Sequence, residues 1–142
     1  MSLSLETATK IADAALAAGR TANMKPLTVA IVDDGGNLKV LKREDGPGAP
    51  MRPQIAIGKA FASVGMGRST RALQDMAQQR PWFSASLVSV ASGGYVPVPG
   101  GVLITDAVGT VVGAIGVTGD TADNDEVAAI AGVEAAGLKA QV

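Results

Sequence analysis

The chain has 142 residues, a length that fits one domain. It contains neither cysteine nor histidine, which excludes disulfides, thiolate or imidazole metal sites, a cysteine nucleophile and the serine–histidine triad. The formal net charge of −1 offers no basic surplus for nucleic acid, and no apolar run approaches the roughly 20 residues that span a bilayer.

Leu5 to Thr21 reads as a helix. Ser4 is placed to cap it, and Leu5, Ala8, Ile11, Ala12, Ala15 and Leu16 repeat at helical spacing. Leu27–Asp33 is a β-branched run expected to form a buried strand, and Asp34-Gly35-Gly36-Asn37 is a strong turn. Leu38–Arg43 returns as a second strand, completing a hairpin, and residues 44–53 form a Gly- and Pro-containing loop. A helix is expected over Gln54–Met66, ended by Gly67. A shorter one, capped by Ser69 or Thr70, runs to about Gln79, where Pro81 stops it.

Trp82 to Val90 reads as irregular chain closing in a short strand near Leu87–Val90. Val102–Thr105 and Thr110–Thr118 are strands of a second hairpin around Asp106–Gly109. A last helix, capped by Asp123 or Asn124, is expected from Asp125 to Lys139. Two hairpins with helices between and around them imply an α+β domain with an antiparallel sheet. The N-terminus lacks the basic-then-apolar pattern of a signal peptide, so the expectation is a cytoplasmic protein without a membrane partner.

Four segments carry a family resemblance: VAIVDDGGNLKVLKREDG (29–46), IAIGKAFAS (55–63), ASGGYVPVPGGVLI (91–104) and GTVVGAIGVTGDTADNDEVAAIAG (109–132). In this order they resemble the GlcG/HbpS-like haem-degrading domain family, which includes the C-terminal domain of PduO-type proteins. The resemblance spans about the whole chain. It implies a profilin-like three-layer fold with a five-stranded antiparallel sheet flanked by helices. It also implies self-association into dimers and higher assemblies, octamers among them, and haem binding in some members. Members that bind haem use histidine on the iron, and this chain has none. Met24, Met66, Met76, Tyr95 and Lys59 are the substitutes the sequence offers, and haem is disfavoured accordingly.

Each candidate site residue has a functional and a structural reading. Asp33 and Asp34 form either an acid–base pair or ordinary turn chemistry. Lys59, among apolar neighbours on a helix, is either an amine of lowered pKa, able to form a Schiff base or bind a carboxylate, or a lysine whose stem covers apolar surface. Arg52 and Arg80 flank helix ends. Arg80 with Trp82 and Phe83 makes either a clamp for an acidic aromatic ligand or a surface anchor.

Gly93-Gly94 and Gly100-Gly101 bracket Tyr95. Their amides either cradle an oxyanion or serve a strand crossover, and Tyr95 offers a polar tip. Asp125 and Glu126 either reach a pocket or complement the helix dipole. The spacing of Asp120, Asp123 and Asp125 lacks the pattern of a calcium loop. No metal is expected.

Together these residues point to a domain that binds a small organic acid or planar aromatic. Lys59, Tyr95 and Glu126 are the candidate catalytic groups, and Arg52, Arg80, Trp82 and the four glycines the ligand contacts. A cofactor-free enzyme performing isomerisation or lyase chemistry on a small acid is an alternative, and a structural subunit of a homo-oligomer is another.

Overall fold

The computed structural model describes residues 2–142. Ser4 caps α1 (Leu5–Thr21) by accepting from the Thr7 amide at 3.0 Å. The strands β1 (Thr28–Asp33) and β2 (Leu38–Arg43) form the first hairpin. Then come α2 (Arg52–Met66), α3 (Thr70–Gln79), α4 (Pro81–Val90), β3 (Gly101–Thr105), β4 (Val111–Thr118), α5 (Ala122–Ala135) and β5 (Lys139–Gln141). The strands make one antiparallel sheet in the order β2-β1-β4-β3-β5.

The expected α+β class and five-stranded antiparallel sheet are present. Helices α1 and α5 pack together on one face of the sheet. Their small residues let them touch: a Cβ on Gly132 would stand 2.7 Å from the Ile11 carbonyl oxygen. Val29, Ile31, Ile115 and Val117 alternate along the strands toward these helices, with Ile11 and Val133 closing the core. The other face carries α2, whose Ala56 and Ala60 lie against Gly116 and Ala114. Beyond α2, Leu73, Met76 and Tyr95 join α3 and α4 in a smaller core.

The expectations for three elements are corrected. Leu87–Val90 is the last part of α4 rather than a strand. Pro81 both stops α3 and starts α4, because a proline in the first turn loses no helical hydrogen bond. The last helix begins at Ala122, capped by the Thr121 hydroxyl, not by Asp123 or Asn124. It ends at Ala135, where Gly137 turns the chain at φ +77°, and Lys139 pairs with Thr105 as the first residue of an edge strand. The second helix starts at Arg52 instead of Gln54, with Pro53 in its first turn.

Candidate functional site

Lys59 points from the middle of α2 toward the end of β4 and the start of α5. Its Nζ donates to the Val117 carbonyl at 2.9 Å and to Oδ2 of Asp125 at 3.3 Å. Both side chains are only 3% exposed. Oδ1 of Asp125 accepts from the Asp120 amide at 2.9 Å, so both carboxylate oxygens have partners. Gly100 makes room for the ammonium. Its φ is +127°, and a Cβ there would stand 2.8 Å from Nζ.

Arg52 lies about two helical turns before Lys59, on the same side of α2. One guanidinium nitrogen donates to the Thr118 hydroxyl at 2.8 Å. Arg52, Lys59 and Asp125 line one cleft of about 270 Å³, with Ile55, Val96 and Val98 as apolar walls. Burial pushes the Lys59 ammonium below its usual pKa. Asp125 opposes that shift and Arg52 reinforces it. Burial pushes the Asp125 carboxyl above the ordinary carboxylate value, against the pull of Lys59 and Arg52. The cleft thus offers an amine, a carboxylate that can exchange its proton, and a guanidinium with unused donors.

The other expected site residues lie elsewhere. Tyr95 lines a separate, apolar cleft of about 210 Å³ between α2 and α4, beside Phe61 and Met66. Its hydroxyl is buried and makes no hydrogen bond of good geometry. Burial raises its pKa, softened by the nearby Ser84 hydroxyl and by Arg68. Glu126 is held by Arg71 Nε at 2.9 and 3.1 Å, while the same guanidinium reaches Asp123 at 2.6 Å. These bonds raise the Arg71 pKa and tie α3 to α5.

Arg80 lies over the Phe83 ring at 4.4 Å, and Trp82 is exposed, so the arginine and two aromatics do not converge into one clamp. Three of the four bracketing glycines spend their amides within the fold. The Gly93 and Gly94 amides close the end of α4 on the carbonyls of Val88 and Ala91, and the Gly101 amide donates to Thr70. Asp33 accepts from the amides of Gly35 and Asn37, which holds its pKa below the ordinary value and marks a turn. Among the described residues no group of three or more acidic side chains is arranged to hold a metal ion.

Asp125, not Glu126, is the α5 carboxylate that lines the cleft. The signal was present: Asp125, Ala128, Ala129 and Gly132 repeat at helical spacing, which puts a carboxylate on the buried face of α5.

A family profile described as "Haem degrading protein HbpS-like" matches residues 3–134. The chain belongs to the HbpS-like family. A double mutant of Streptomyces reticuli HbpS is 36% identical to this HbpS-like chain. The match covers 94% of this chain and 86% of that one at a TM-score of 0.82. The PduOC–heme complex is 24% identical, with all of both chains covered and a TM-score of 0.86. Klebsiella pneumoniae protein ORFY is 21% identical over 95% of this chain and 90% of its own, at a TM-score of 0.84. Among proteins with curated functions, none matches this chain. Among its described residues, no helix is long and apolar enough to cross a membrane.

Proposed function

We propose that this chain is a small-molecule-binding domain whose ligand is an organic acid seated in the Arg52–Lys59 cleft. The observation that carries this reading is the placement of Arg52. Its guanidinium lines an apolar-walled cleft and spends one donor on Thr118. A ligand carboxylate would take the remaining donors, while Ile55, Val96 and Val98 cover its carbon frame. Haem is disfavoured. Met24 and Met76 are buried in the cores, Lys59 is paired, and the Tyr95 hydroxyl is enclosed with its pKa raised. Met66 is half-buried and lines the Tyr95 cleft, but methionine holds haem iron together with a histidine, which this chain lacks.

Isothermal calorimetry with acetate, pyruvate and benzoate tests the reading. At least one acid should give a saturable heat that Arg52→Gln weakens about 10-fold or more, as expected for a charge-assisted hydrogen bond. Silence with all three acids, or an unchanged affinity in the variant, would overturn it. Hemin titrated in parallel should give no saturable Soret shift.

A second reading, self-association, is favoured by α4. Trp82 is 71% and Val90 80% exposed on this helix, which carries no charged residue. Such a face is suited to contact with another copy of the chain.

A further inference from the structure

We propose that Lys59 captures a small oxo acid covalently, as a Schiff base, in the cleft it shares with Arg52 and Asp125; this rests on the acid-binding reading above. Three features of the geometry support it. The ammonium is withdrawn from solvent yet lines the cleft. A carboxylate stands 3.3 Å from it, able to take its proton. A guanidinium lines the same cleft, where it would hold the acid group and present the carbonyl carbon to Nζ.

The step balances within the site. Lys59 gives one proton to Oδ2 of Asp125, and the free amine attacks the carbonyl carbon, forming a C–N bond. A proton moves from nitrogen to the former carbonyl oxygen. Asp125 then returns its proton to that hydroxyl, the C–O bond breaks and water leaves. The nitrogen lone pair forms the C=N bond of a protonated iminium. The positive charge on nitrogen is the same before and after, so Asp125 is never left as a lone buried anion. The burial that lowers the Lys59 pKa makes the first transfer easier.

The test is reductive trapping. Wild-type protein is incubated with pyruvate and sodium cyanoborohydride, then followed by intact mass and peptide mapping. Acetone supplies a carbonyl without the acid, and acetate an acid without the carbonyl. The expected result is one saturable adduct on Lys59 with pyruvate, at least several-fold less with acetone, slowed by acetate and absent in Lys59→Met. Mapping in the wild type keeps the assignment independent of whether that variant folds. Labelling spread over the exposed lysines, or none, overturns the covalent step. If pyruvate binds calorimetrically without trapping, the acid-binding reading stands and this one falls. If pyruvate neither binds nor traps, the covalent step falls, and the acid-binding reading falls with it when acetate and benzoate are silent as well.

Discussion

Lys59 on α2 and Asp125 on α5 meet at 3.3 Å across the end of β4, with only 3% of either side chain exposed. Asp125→Asn keeps an acceptor for the Asp120 amide but leaves the ammonium alone in a buried site. A loss of about 3–5 kcal/mol follows, read from urea denaturation, because one partner of a buried pair is left uncompensated. Lys59→Met combined with Asp125→Leu should lose less than the sum of the two single changes. The pH dependence has a definite sign. With Lys59 lowered below 10.5 in the fold, the unfolded chain binds more protons between the lowered value and 10.5. Stability of Asp125→Asn therefore rises as pH approaches 10.5 from below, more steeply than in the wild type. A flat difference between the two would refute the pairing.

Asp120 gives the opposite limb. The Lys25 amide, the Asn124 side chain and the Thr121 amide donate to its carboxylate and lower its pKa to about 2. The unfolded carboxyl takes its proton near 3.8, so the contribution is complete above that value and is lost as pH falls toward about 2. Wild type should exceed Asp120→Asn in stability at neutral pH, with the difference shrinking in acid titrations below about pH 4. A difference that does not change with pH would show that the charge plays no part.

Local chemistry was legible where it was strong. Ser4, the Asp-Gly-Gly-Asn turn and the β-branched runs each act within a few residues, and their elements form where the sequence places them. Helix α4 is not legible in the sequence because it lacks a helical apolar stripe; its helix is set by Pro81 and by the Gly93 and Gly94 closure. The edge strand β5 is three residues long and exists only because Thr105 and its neighbours pair with it. Lys59 is legible as a lysine among apolar neighbours on a helix, and Arg52 as an arginine beside a helix end. Their union with Asp125 depends on the crossing of α2, β4 and α5, which is a long-range fact. Tyr95 sits just before Val96, a wall of the Lys59 cleft, yet faces the other side of α2's packing.

The closeness of α2 to the sheet is tested by two glycines. A Cβ on Gly116 would collide with the Ala56 carbonyl oxygen and stand 2.7 Å from the Ala60 amide nitrogen. These are backbone atoms of a packed helix and cannot swing away. Gly116→Ala should cost about 1–3 kcal/mol or more through overpacking. Gly65, on the same helix, has nothing within 4 Å of its would-be Cβ and lacks a positive φ. Gly65→Ala should stabilise by about 0.5–1 kcal/mol, through helix propensity and a less flexible unfolded chain. Thermal melts of the two variants should move in opposite directions; movement in the same direction would contradict the close approach.

Trp82 and Val90 are largely exposed on α4, so their removal should leave the fold intact. Surface substitutions away from packed features usually change stability by less than about 0.5 kcal/mol. If α4 is the self-association face, Trp82→Ser with Val90→Ser should reduce the mass seen by native mass spectrometry while the melting temperature of the resulting subunit stays close to that of a dilute wild-type sample. The two positions lie at opposite ends of the helix, so a contact that uses both covers its whole length. An unchanged assembly in the double variant would move the contact away from α4, and a wild-type chain that is monomeric at all concentrations would remove it altogether.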